Sequence, residues 1–200
     1  MAIKAIIFDI DGVLADSRDA VVFNTKTLLR EYKFPVLDSD VEKMSSAHSA
    51  ESVLIALVPA LSHNKKLRGE MLFRLSKITN DNLHIVRPTL LTHAVPDLAK
   101  SYKLAAASNR KASAKMVLEQ LHIDSYFQTI STSADAPPKP DPAMIKNALN
   151  SLGVKPFEAI FVGDNIEDVQ AGEAAGVRTF RVDGLNKKEV AEFEKMLASL

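Results

Sequence analysis

The sequence predicts an α/β protein, a three-layer core around a parallel sheet with a helical segment inserted after the first strand. Three observations carry this. The chain opens on an apolar run, Ile3 to Phe8, that reads as a buried strand. From Pro88 onward, short apolar strands alternate with helical stretches, the pattern of a parallel sheet covered by helices. Between the two, residues 18–78 show apolar positions at helical spacing only.

The elements follow in order. In the insert, Val22, Leu28 and Leu29 mark one helix, which Pro35 separates from the next. Val53, Leu54 and Leu57 mark another, ended by Pro59, and a third runs from Asn64 to Ile78. Beyond Pro88 a helix near Leu90–Ser101 precedes the strand Leu104–Ala107, and a helix at Ala112–Leu121 precedes the strand Phe127–Ile130. A loop with Pro137, Pro138, Pro140 and Pro142 leads into a helix at Ala143–Leu152 and the strand Ala159–Val162. A helix at Ile166–Ala175, a strand at Val177–Val182 and a helix from Lys187 to Leu200 close the chain. The expected division is a catalytic core of residues 1–14 and 87–200, and a helical cap of residues 15–86.

Composition excludes several classes of function. The chain has 200 residues, enough for one core and a small accessory unit. Lys plus Arg number 25 and Asp plus Glu 25, so no net field gathers nucleic acid or an anionic membrane. There is no cysteine, which rules out disulfides, thiolate metal sites and a Cys nucleophile, and fits a reducing compartment. The first apolar run is interrupted by Asp9 and Asp11 too soon for a signal peptide, and no stretch reaches the length of a membrane span. The expected location is the cytoplasm.

Each core strand hands over to polar chemistry at its carboxyl end. The first gives Asp9 and Asp11, with Gly12 placed for a sharp turn. Two carboxylates at the end of a buried strand need partners or a metal. An EF-hand loop counted from Asp9 would want an oxygen ligand and a glycine where Val13 and Leu14 stand, so that reading fails. The second strand gives Ser108-Asn109-Arg110, the loop after the third holds Lys139, and the fourth gives Gly163-Asp164 followed by Asp168. In a parallel sheet these ends share one edge, where ligands bind. Carboxylates, a hydroxyl, an amide and an ammonium suit a divalent cation with a phosphate beside it. No glycine-rich loop of the dinucleotide or Walker type is present, so the metal, Ser108, Lys139 and backbone N–H groups would hold the phosphate. Blander readings stand beside these. Lys139 could be a solvated loop residue, although its Pro-x-Pro setting favours a fixed position. Ser108-Asn109 could cap the following helix, and Asp168 could be a first-turn helix acid. Asp16 and Asp141 read as turn or cap residues.

These residues carry a resemblance. Phe8 to Ser17, Ala107-Ser108-Asn109, Pro138 to Pro142 and Val162 to Asp168 resemble, in order, the four motifs of the haloacid dehalogenase (HAD) superfamily. The stretch Ala171 to Val177 is similar to the group containing phosphoglycolate phosphatases and β-phosphoglucomutase. The resemblance implies a Rossmann-like core and a hydrolase. It implies Asp9 as the nucleophile that forms an aspartyl-phosphate, and Asp11 as general acid and base. It implies Mg2+ held by Asp9, the Asp11 carbonyl and Asp164. Ser108, Asn109 and Lys139 would bind phosphate, and Asp168 would orient Lys139 or a metal-bound water. The partner is a small phosphorylated metabolite, and the protein a monomer or homodimer.

An acid at Asp11 argues against dehalogenation. Val21 stands where β-phosphoglucomutase-like sequences carry a cap histidine, and no clear arginine serves a second phosphate unless Arg18 or Arg30 does. The expected activity is therefore a phosphatase, with a phosphomutase as the alternative and a non-catalytic regulatory protein as a remoter one. The insert departs from the usual pattern at Met44–Ala47, where glycine is common, and at Arg87-Pro88-Thr89, where Pro-Gly is usual. None of the five histidines has metal-like spacing. His48, near Ser45, Ser46 and Ser49, reads as a solvated loop residue, with substrate contact as the other reading.

Overall fold

The computed structural model describes residues 2–35, 37–44 and 50–199, apart from the side chains of residues 38 and 44. The chain divides into two compact units, residues 1–16 with 87–200, and residues 17–86.

In the first unit β1 (Ala5–Phe8) leads through a turn to β2 (Ala15–Asp16). All four residues of β1 are fully buried, so the strand is covered on both faces and needs no polar alternation. The second unit is helical: α1 (Arg18–Glu31), α2 (Asp38–Met44), α3 (Ala50–Leu57) and α4 (Lys65–Asp81). Leu28, Leu54, Met71 and Ile78 lie in its own apolar core, at the spacing that puts them on inner helix faces. Arg74 clamps Glu31 through two bonds of 2.8 Å, and Asn82 Nδ2 donates to Asn24 Oδ1 at 3.0 Å.

The chain re-enters the first unit at β3 (Arg87–Pro88), antiparallel to β2 with Ala15 opposite Pro88. A two-residue strand is too short to show a period, so this pair is not visible in the sequence. Then follow α5 (Leu90–Leu98), β4 (Lys103–Ser108), α6 (Ser113–Gln120), β5 (Phe127–Thr132) and α7 (Ala143–Leu152). The last elements are β6 (Ala159–Gly163), α8 (Ile166–Ala175), β7 (Arg178–Arg181) and α9 (Lys187–Leu197). Each lies where the hydrophobic pattern predicts it, with ends that differ by a few residues.

Five parallel strands form one sheet in the order β5-β4-β1-β6-β7, flanked by helices. Ile7 lies opposite Ala105 on one side and Phe161 on the other. Side chains alternate across the sheet. Ile7, Ala105 and Phe161 join Met144, Ile145 and Ala148 of α7 and Ala171 of α8 in one core. Ile6, Leu104 and Ile160 point the other way and are equally buried. On that face Phe180 of β7 meets Phe193 of α9, ring centroids 5.9 Å apart. Among the described residues no helix is long and apolar enough to cross a membrane.

Helix α8 lies close to the sheet because it has no side chain at Gly172. A Cβ there would fall 1.8 Å from Thr179 Oγ1 and 3.2 Å from Phe161 Cδ1. Gly172→Ala should therefore lower stability by about 1–3 kcal/mol, the range for overpacking a tight interior. Thr179→Ala on the same chain should recover part of the loss. Urea unfolding of the parent, both single variants and the double variant measures this, and simple additivity of the two changes would refute the steric account.

Candidate active site

The sheet order brings the expected residues of the core to one edge. Asp9 follows β1 directly and is anchored by its N–H to the Val162 carbonyl at 2.8 Å. Gly12 turns the chain with φ of +77°, a conformation that disfavours other residues. The missing side chain also lets Asp164 come close, since a Cβ on Gly12 would sit 2.0 Å from Asp164 Oδ2.

Lys139 reaches into the site from the loop after β5. Its side chain is 2% exposed, and Nζ lies 2.7 Å from Asp9 Oδ1 and 2.5 Å from Asp168 Oδ1. The solvated-loop reading of this lysine is therefore excluded. Asn109 holds the lysine's backbone: its Oδ1 accepts from the Lys139 N–H at 2.8 Å, and Nδ2 faces the Lys139 carbonyl at 3.4 Å. The amide expected to bind phosphate is thus occupied with fixing the loop that carries Lys139.

Ser108, at the end of β4, is buried. Its Oγ accepts from the N–H of Arg110 at 3.2 Å, a local turn bond rather than a cap on α6. Asp168 is fully buried and does two things at once. One carboxylate oxygen meets Lys139, and the other accepts from the N–H groups of Asp164 at 3.1 Å and Asn165 at 3.3 Å. Asn165 Oδ1 returns a bond from the Asp168 N–H at 3.0 Å, so the pair also caps α8. Asp164 is half-buried, and its carbonyl accepts from Arg181 Nε at 2.9 Å. Asp141 Oδ1 accepts from the Ala143 N–H at 2.8 Å, the turn role read for it, whereas Asp16 lies in β2.

Asp11 stands apart from this cluster. Its carboxylate accepts two bonds of 2.7 Å from Arg110, one from Nε and one from Nη2. Sequence reasoning passed over Arg110. The signal was present, because Arg110 directly follows Ser108-Asn109 at a strand end and its guanidinium matches a carboxylate fork. His48, Ser45, Ser46 and Ser49 lie outside the described residues.

Electrostatics mark the same place. Burial, opposed by the Lys139 ammonium and reinforced by Asp168 and Asp11, pushes the Asp9 carboxyl from 3.8 up to about 8. Burial and then the Asp168 charge push Asp164 from 3.8 up to about 6. Burial works against the charge of Lys139, but Asp9 and Asp168 more than offset it, so the ammonium is held above the usual lysine range. Carboxylate oxygens of Asp9, Asp164 and Asp168 lie within 4.8 Å of one another. Crowded acids with raised affinity for protons, all offering oxygen, fit a hard divalent cation. The geometry can present a carboxylate nucleophile at Asp9 beside a fixed ammonium.

Residues 6–182 match the haloacid dehalogenase-like hydrolase family. The chain belongs to this family. It is 29% identical over 191 residues to the pyrophosphatase PpaX of Bacillus velezensis, covering 88% of this chain and 82% of that one. It is 26% identical to the phosphoglycolate phosphatase of Aquifex aeolicus, covering 88% and 83%. A HAD-superfamily hydrolase of subfamily IA from Geobacter sulfurreducens superimposes with a TM-score of 0.74 at 27% identity, over 90% of this chain and 86% of that one. The HAD chain is thus an enzyme, a hydrolase whose relatives are phosphatases.

The raised carboxyl groups predict a pH-dependent response to cations. A folded pKa above the unfolded one contributes stability that is full below about 3.8 and lost as pH rises through about 6 for Asp164 and about 8 for Asp9. In EDTA this contribution should fade between pH 5 and 8.5. A bound divalent cation favours the ionised acids, so Mg2+ should raise the unfolding midpoint more at pH 8 than at pH 5. Thermal unfolding with EDTA and with Mg2+ at both values tests this, and an equal shift at both would remove these acids as the cation site.

Proposed function

We propose that this HAD hydrolase is a Mg2+-dependent phosphatase that acts on a small phosphorylated metabolite through an aspartyl-phosphate on Asp9. The observation that carries this reading is the buried lysine between Asp9 and Asp168, with Asp164 beside them. A carboxylate with one oxygen against a fixed ammonium is oriented for attack, and the same ammonium neutralises charge on the phosphoryl group. The relatives support a phosphate substrate, since one is a pyrophosphatase and one a phosphoglycolate phosphatase.

In this scheme an Asp9 oxygen forms the new bond to phosphorus, and the bond to the leaving oxygen breaks. Asp11 donates the proton that the leaving oxygen takes up. Asp11 then accepts a proton from the water that attacks the acyl phosphate, which frees inorganic phosphate and restores the Asp9 carboxylate. Ser108 hydrogen-bonds the transferring group, and Lys139 stabilises its charge. Asp168 positions Lys139, and Asn109 fixes the backbone that carries it. Asp9, the backbone carbonyl of Asp11 and Asp164 would hold Mg2+, which would offset the repulsion between carboxylate and phosphate. Asp168 stays outside this set, because its oxygens are engaged by Lys139 and two backbone N–H groups.

The reading extends to a cytoplasmic location, supported by a cysteine-free sequence with no net charge. The core groups reach the phosphoryl group and the leaving oxygen, so most of the choice among substrates is assigned to the helical cap of residues 15–86.

Two substitutions test the scheme on p-nitrophenyl phosphate with Mg2+. Asp9→Asn keeps the size of the side chain but removes the nucleophile, and activity should vanish while the unfolding midpoint stays measurable. Residual activity within tenfold of the parent would mean that another group attacks phosphorus. Lys139→Ala should lower kcat by at least about a hundredfold, the scale of one preorganised electrostatic contact. Ordinary turnover in that variant would remove Lys139 from the chemistry.

A further inference from the structure

Two side-chain cations of the site sit on different acids. Lys139 is bonded to Asp9, the proposed nucleophile, and to Asp168. Arg110 is bonded to Asp11, the proposed acid for the leaving oxygen. We infer that Arg110 adds one specificity contact from the core to those assigned to the cap: it binds an anionic group carried by the leaving portion of the substrate, a carboxylate or a second phosphate a few bonds from the scissile oxygen. This inference rests on the phosphatase reading above, because it takes Asp11 to mark the leaving-group side.

Four observations support it. First, the guanidinium lies at hydrogen-bond distance from the group that must approach the leaving oxygen, so the substituents of that oxygen come within its reach. Second, a guanidinium has five N–H donors and the bonds to Asp11 use only Nε and one hydrogen of Nη2. Among the described residues Nη1 makes no hydrogen bond, and solvent reaches it although the side chain as a whole is only 12% exposed. These donors are thus open to an incoming anion, which a guanidinium binds by charge-assisted hydrogen bonds. Third, the pocket already accepts a carboxylate fork, since that of Asp11 lies in it with both bonds at 2.7 Å. Fourth, the backbone of Arg110 is fixed: its N–H donates to Ser108 Oγ, and its carbonyl accepts from the Ser133 N–H at 3.1 Å and Ser133 Oγ at 3.3 Å. A cation on a fixed backbone, with unmet donors, selects by charge and planarity rather than by size.

The test compares two probes of the same length that differ in one group. Phosphoglycolate leaves as a carboxylate-bearing alcohol, and 2-hydroxyethyl phosphate leaves as a neutral one. The readout is the ratio of their kcat/KM values within each protein, so any general loss cancels. In the parent the ratio should favour the anionic probe by about tenfold to a hundredfold, the range for a charge-assisted hydrogen bond. In Arg110→Met it should fall to within about threefold of unity, with most of the change in KM, and Arg110→Lys should restore part of it. A parent ratio near unity overturns the inference even if Arg110→Met fails to fold, and so does an unchanged ratio in a folded Arg110→Met. If the parent turns over neither probe nor p-nitrophenyl phosphate, the phosphatase reading falls and the inference falls with it. Turnover of p-nitrophenyl phosphate with a flat ratio overturns the inference alone.

Discussion

A lysine ammonium buried between two carboxylates organises the catalytic unit. Lys139, in the loop after β5, joins the end of β1, more than a hundred residues before it in sequence, to the first turn of α8, through contacts of 2.7 and 2.5 Å. Taking such charges out of water is costly, and the pairing offsets the cost only where geometry and further hydrogen bonds are good. The surrounding structure supplies them. Asn109 fixes the lysine's backbone, two backbone N–H groups meet the far oxygen of Asp168, and Asn165 closes the cap of α8. The fold is built so that these donors reach the cluster together.

The sheet order explains why distant segments can meet. With β1 in the centre and β4 and β6 on either side, the three strand ends that carry Asp9, Ser108 and Asp164 are neighbours at one edge. The two central strands β1 and β6 hold no charge, because every residue in them is buried. In this central part of the sheet the polar groups gather at the carboxyl ends, where the backbone leaves the sheet and its N–H groups become free to bind anions.

Much of this was legible from sequence, for a physical reason. Buried parallel strands read as continuous apolar runs, and their ends are marked by the first charged or hydroxyl residue, so Asp9, Ser108 and Asp164 could be placed without coordinates. Lys139 could be singled out because prolines on both sides restrict its backbone. What remained hidden depends on pairing across the chain. The β2–β3 pair is too short for a period, and nothing local tells that Asn109 turns to the backbone of Lys139. Arg110 was in view, but its partner is 99 residues away and no spacing rule links the two. The double role of Asp168, cap and ion-pair partner, was readable only as two alternatives, because a helix N-terminus and a buried lysine make the same demand for a carboxylate.

The count of charges sets a limit on how the site can work. Asp9, Asp11, Asp164 and Asp168 place four carboxylates around Lys139 and Arg110, with the exposed Arg181 on the Asp164 carbonyl. With all of them ionised the site carries a surplus of negative charge, and the structure relieves it by holding Asp9 and Asp164 near protonation. A protonated Asp9 is a poor nucleophile, so this raised proton affinity works against the proposed chemistry. An incoming phosphate dianion would deepen the surplus. A divalent cation among the carboxylate oxygens would ease both problems, because it would favour ionised acids and attract the dianion at the same time. The raised proton affinity of Asp9 and the oxygen cluster beside it are thus two expressions of one arrangement, a cradle of acids whose negative surplus a divalent cation would offset before a phosphate dianion approaches.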